Sequence, residues 1–171
     1  MKESKQRQIF DQWLTDHKAL LFKVVRAYAR DREDQDDLFQ EVCLQVYRSI
    51  PNFKELSAVT TWIYRISLNT AIKWSTKERK HMESHEAIQH GAHVLENKDH
   101  YEDDRIAWLY QQIHQFNEVD RSISLLLLEG YSYKEMSGML GITESNIGVK
   151  IHRIKRQLIA CLLYTSDAAD D

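Results

Sequence analysis

Apolar residues recur three and four positions apart along nearly the whole chain, and strand-like alternation is almost absent. A first amphipathic helix is predicted over residues 6–29, with Phe10, Trp13, Leu14, Leu21, Val24, Val25 and Tyr28 as its stripe. A charged turn, RDREDQ, follows. A second helix is predicted over Asp37–Ser49, with Leu38, Val42, Val46 and Ile50 on one face and Pro51 to stop it. Asn52–Val59 reads as a loop. A third helix is expected to start at Thr60 or Thr61, either a suitable N-cap, and to run through TTWIYRISLNTAIKWSTKERK. The periodicity fades over 81–103, then returns in four shorter segments at 104–116, 118–128, 132–140 and 143–160. The small, acidic YTSDAADD breaks the pattern again. The expected architecture is all-α: two small helical domains (1–80 and 104–163) joined by a flexible acidic linker (81–103), with a tail of doubtful origin at 164–171.

The segment EGYSYKEMSGMLGITESNIGVKIHRIKRQL carries the sharpest local pattern. Ser132 and Glu135 have capping-box spacing. Gly141 sits where a tight interhelical turn needs a positive φ, and Thr143 can cap the next helix. Met136, Leu140, Ile142, Ile147, Ile151 and Ile154 supply a shared core. This is the helix-turn-helix pattern. With Ile147 facing the core and about 100° per residue, Ser145, Asn146, Val149, His152, Arg153 and Arg156 point outward, flanked by Lys150 and Lys155. From Ser145 to Tyr164 there are four basic residues and no acid. Such a helix suits the major groove, its first turns at base edges and its basic end at phosphates; the plainer reading is a solvated basic face.

The third helix interleaves rings and cations: Trp62, Tyr64, Arg65, Asn69, Lys73, Trp74, Lys77, Arg79 and Lys80. Aromatic rings stack on unpaired bases while cations track the backbone. Taken alone, Trp62 and Trp74 read more simply as core. On the second helix, Asp36, Asp37 and Glu41 either complement the helix dipole or form an acidic docking surface around Leu38 and Val42.

Charge distribution changes the picture that the net charge of -3 gives. Residues 1–80 carry 15 basic and 11 acidic side chains, residues 81–104 carry 1 and 7, and residues 105–164 carry 7 and 5. Two mildly basic blocks flank an acidic joint, as expected where the blocks meet nucleic acid. Cys43 and Cys161 are too few for a disulfide scaffold and read as reduced thiols. Without a signal-like N-terminus or a membrane-length apolar run, a cytoplasmic protein with no membrane insertion is expected. His81, His85, His90, His93 and His100 cluster in the linker, but no cysteine or carboxylate set completes a zinc site. No phosphate loop, nucleophile elbow or HExxH occurs, so no metal, no cofactor and no enzymatic activity are expected.

DDLFQEVCLQVYRSIPNF, then TTWIYRISLNTAIKW, then the helix-turn-helix, in that order over about residues 6–160, resemble the small, extracytoplasmic-function sigma factors of the sigma-70 superfamily. The resemblance implies a specificity subunit of RNA polymerase that directs promoter recognition and transcription initiation, in a stress or envelope response. It implies docking on the clamp coiled coil of the polymerase's largest subunit through Asp37, Leu38, Gln40, Glu41 and Val42. It implies reading and opening of the minus-ten element, on the non-template single strand, through the Lys54–Val59 loop with Lys54, and through Trp62, Arg65, Asn69, Lys73 and Lys77. The minus-thirty-five element would be read as duplex by Ser145, Asn146, Val149, Lys150, His152, Arg153 and Arg156. An anti-sigma factor is a further partner that many relatives have. The chain departs from the family at Phe116-Asn117, where a leucine-proline pair is usual, and in the internal Gly148. The alternative is a helix-turn-helix repressor or activator that binds duplex DNA, without core polymerase, as a dimer.

Overall fold

The computed structural model describes residues 2–84 and 103–169, with backbone alone for 82–84 and 165–169. It divides into two compact units, 1–103 and 104–171, and every element described in either is a helix.

The first unit contains α1 (Glu3–Tyr28), α2 (Arg32–Ser49), a 3-10 turn (Ile50–Asn52) and α3 (Val59–Ser84). The three helices pack on one another through Leu21, Val24, Val25, Leu38, Val42, Val46, Ile63, Tyr64 and Leu68, all buried. Aromatic pairs fasten the α1–α2 seam at both ends: Phe10 meets Tyr47 edge-on at 5.6 Å, and Phe22 stacks on Phe39 at 4.9 Å. Pro51 stands in the 3-10 turn that ends α2. Beyond it Phe53 wedges between Trp13 (5.3 Å) and Trp62 (5.6 Å). That ring cluster ties the loop before α3 to two helices.

Several boundaries differ from expectation. α1 begins at Glu3 rather than residue 6, and α3 begins at Val59, so Thr60 and Thr61 lie inside the helix instead of capping it. α2 begins at Arg32, inside the segment expected to be a charged turn. Asp31 caps it by accepting the Asp34 N–H at 2.8 Å, and Glu33 and Asp34 complement the dipole in the first turn. α7 runs on to Ala169, although YTSDAADD was expected to break it. Nothing there forbids a helix: residues 161–169 contain neither glycine nor proline, and an established helix propagates at little cost. Most of the expected linker, with His85, His90, His93 and His100, lies outside the described residues.

The second unit contains α4 (Asp104–Gln115), α5 (Glu118–Leu128), α6 (Tyr133–Leu140) and α7 (Glu144–Ala169). Asn117 caps α5, accepting the Asp120 N–H at 2.9 Å. Arg121 reaches back to the carbonyls of Phe116 (2.8 Å) and His114 (2.7 Å), satisfying orphan acceptors at the end of α4. The Ser132–Glu135 capping box forms, Gly141 adopts φ 71°, and Thr143 Oγ1 accepts the Asn146 N–H at 3.2 Å. Met136, Ile147, Ile151 and Ile154 are buried with Met139, while Leu140 and Ile142 are half-buried.

Candidate nucleic-acid and protein-docking surfaces

α2 separates its residues by face. Leu38 and Val42 are 0% exposed and belong to the three-helix core, so neither reaches the surface. Glu41 is half-buried and accepts a hydrogen bond from Gln45 at 2.7 Å. Asp37 and Gln40 are exposed, and Leu44, 41% exposed, continues their stripe one turn on. The face of this helix left open beside the core therefore carries Asp37, Gln40 and Leu44. The sequence reading passed over Leu44 although its position, about 240° around the helix from Leu38, puts an apolar group on the polar face.

At the start of α2, Asp34 lies among Asp31, Glu33, Asp37 and Glu78 of α3. Partial burial and then these like charges push its carboxyl up to about 6.

On α3, Arg65, Asn69, Lys73 and Lys77 are all exposed. Spaced four apart, they form a stripe along about 18 Å of helix axis. Ile63, Tyr64, Ser67, Leu68 and Ala71 fill the opposite side, buried. Trp62, by contrast, is half-buried. Its indole N–H donates to Ser49 Oγ at 3.0 Å and its ring lies on Phe53, so packing holds it. Lys54 is exposed at the base of the preceding loop, where Glu55 takes a positive φ of 58° and Leu56 is 89% exposed. A rigid aromatic stem thus carries an exposed loop beside a polar, cationic helix face, a combination suited to a flexible single strand.

On α7, Ser145, Asn146, Val149, His152 and Arg156 are exposed at the outward face as projected. Lys150 and Arg153 are placed differently. Lys150 Nζ lies 3.2 Å from Asp120 Oδ1, and Arg153 Nη2 hydrogen-bonds Asp120 Oδ2. Asp120, on α5, is 3% exposed. No sequence signal identified this pair, because the partners stand 30 and 33 residues away. Gly148 lies under the Tyr133 ring, whose Cε2 would be 3.5 Å from an added Cβ; this is ordinary contact, so sterics alone do not demand glycine there. Among the described residues no helix is long and apolar enough to cross a membrane.

Comparison with known proteins places both units. The family model of Sigma-70 region 2 matches residues 13–81, and that of Sigma-70 region 4 matches residues 107–158. The ECF RNA polymerase sigma-E factor of Haemophilus influenzae is 27% identical over 141 residues, 74% of either chain. The ECF RNA polymerase sigma factor SigM of Mycobacterium tuberculosis is 24% identical over 92% of this chain and 79% of its own. Two solved structures share the fold, each with a TM-score of 0.64. CnrH, in complex with the cytosolic domain of CnrY, is 18% identical, covering 91% of this chain and 88% of its own. The sigma factor RpoE of Bartonella quintana, in complex with the anti-sigma factor NepR, is 16% identical, covering 91% and 97%.

Proposed function

The chain belongs to the sigma-70 family, among its small extracytoplasmic-function members, and from that premise we propose how its surfaces share the work of a promoter-specificity subunit of RNA polymerase. The Asp37, Gln40 and Leu44 stripe of α2 docks on the clamp coiled coil of the polymerase's largest subunit. The outward face of α7 reads the minus-thirty-five element as duplex, through Ser145, Asn146, Val149, His152, Arg153 and Arg156. The α3 stripe and the Lys54–Val59 loop bind the unpaired non-template strand of the minus-ten element. The protein works in the cytoplasm, in a stress or envelope response, under the control of an anti-sigma partner, and performs no chemical step of its own.

The observation that carries this reading is the exposed Arg65, Asn69, Lys73 and Lys77 stripe in the same chain as a capped helix-turn-helix. A regulator that binds only duplex DNA needs the second feature and not the first. Physically, two weak readers held on one polymerase gain effective concentration. The duplex reader positions the complex, and the α3 face captures bases as they leave the stack, offsetting an unstacking cost of a few kcal/mol.

Purified chain mixed with core RNA polymerase tests the reading. It should co-elute with core on gel filtration and should make core transcribe a limited set of fragments from a genomic library. A chain that stays apart from core, yet binds duplex DNA as a dimer, would instead be a free-standing repressor or activator.

A further inference from the structure

The cations of α7 are not all presented to solvent on equal terms. The Asp120 carboxylate is engaged on both oxygens: Lys150 Nζ lies 3.2 Å from Oδ1, while Arg153 Nη2 and, at 3.0 Å, Asn117 Nδ2 donate to Oδ2. Asp120 sits on α5 and is 3% exposed, so water does little to replace a lost partner. Drawing either cation away would leave a buried carboxylate short of one of its partners, which is unfavourable. The two cations differ in what they have left to offer. The Lys150 side chain is only 20% exposed, and its compact ammonium is spent on the pair. The Arg153 side chain is 53% exposed, and a guanidinium carries five donors in a fixed fork. Held through Nη2, it can still offer donors outward, in one orientation.

We propose that Asp120 is a positioning residue for DNA reading: it fixes the Arg153 guanidinium on the recognition helix and withholds Lys150 from the phosphate backbone. This rests on the assignment of α7 as the duplex reader. The three side chains together carry +1 rather than the +2 of two unpaired cations. Sequence-independent affinity rises with the number of phosphates neutralised, so Asp120 lowers it. Selective contacts at base edges, where a fixed arginine is the commonest reader, are left to decide where the helix binds. Asp120 therefore trades general attraction for choice.

The full chain is titrated with a fluorescein-labelled short duplex of random sequence over a series of KCl concentrations. Asp120→Asn and Asp120→Glu are compared with the parent, and circular dichroism follows the fold. Freed cations should steepen the slope of log K against log salt in Asp120→Asn by about 0.9 for each cation that reaches a phosphate. A fourfold rise in salt then costs that variant about 3.5-fold more affinity per cation than it costs the parent. Asp120→Glu, which keeps the charge, should return most of the parent's slope. In parallel, holoenzyme made with each variant selects from a randomised duplex library. The parent should enrich a motif, and Asp120→Asn should enrich it less. If Asp120→Asn loses its helical signal, the same measurements are made with Gly138→Ala added, a mid-helix exchange with open space around it. A parent that enriches no motif overturns the assignment of α7 itself. A parent that does, beside a folded Asp120→Asn with the same slope and enrichment, leaves Asp120 a structural residue and overturns the inference alone.

Discussion

Asp34 is charged at a cost. Its carboxyl is raised from an ordinary 3.8 to about 6, first by partial burial and then by Asp31, Glu78, Asp37 and Glu33. The folded state therefore holds the proton more tightly than the unfolded chain. The resulting penalty is fully present above pH 6 and disappears as pH falls through 6 toward 3.8. Replacing Asp34 with asparagine removes the charge but leaves the Asp31 cap in place. Because the group is largely wet, screening limits the gain to about 0.5–1 kcal/mol at neutral pH. Thermal melts at pH 7.5 should show a higher Tm for Asp34→Asn, and melts near pH 4 should show almost none of that gain. An equal gain at both pH values would mean that packing, not repulsion, separates the two proteins. Asp120 shows the opposite solution for a buried acid, with cations brought to it across the unit.

At the scale of the element, α2 presents a buried face to the core and an exposed one that is proposed to dock on core polymerase. Leu44→Asp should leave the fold intact, since Leu44 is 41% exposed, and should weaken co-elution with core polymerase. Leu38→Ala should instead cost about 2–5 kcal/mol of stability, because Leu38 is fully buried. Chemical denaturation beside polymerase pull-down separates the two effects; a Leu44→Asp chain that binds core like the parent removes this face from the docking site. The division also marks what could be read in advance. Periodicity gave every helix, because burial on one face imposes it on the sequence. The capping box, the turn at Gly141 and the Thr143 cap were legible because each is local. The start of α2 is not legible in the sequence because Asp31, Glu33 and Asp34 read as a charged turn, and only the capping geometry marks them as a helix start. Leu38 and Val42 lie both on the apolar stripe and within the docking motif, and a motif alone does not say which of its residues face inward. The Asp120 pairing was illegible for a different reason: it joins α5 to α7, and nothing within either segment announces a partner in the other.

At the scale of the whole molecule, promoter capture and promoter opening should be separable if each unit carries its own reading surface, as proposed. The contacts proposed for the α3 stripe would exist only once bases are unpaired, so they would favour the open complex over the closed one. Asn69 and Lys73 are the cleanest probes: both are exposed, and neither contributes to the buried core. Trp62 is a poor probe, since truncating it would remove the hydrogen bond to Ser49 and the contact with Phe53 and so mix stability with function. Alanine at both Asn69 and Lys73 should leave the Tm and the capture of minus-thirty-five duplex by holoenzyme largely unchanged. At about 1–3 kcal/mol for each lost contact, open complex should fall by roughly 5- to 150-fold per contact. Permanganate-reactive thymines and transcript yield would report the loss. A template with a pre-opened minus-ten bubble should recover part of it, because these contacts no longer have to drive melting. Capture that falls as far as opening would place Asn69 and Lys73 in duplex binding. Opening that matches the parent would make the stripe a solvated face and assign melting to the Lys54–Val59 loop, whose exposed Leu56 then becomes the next residue to change.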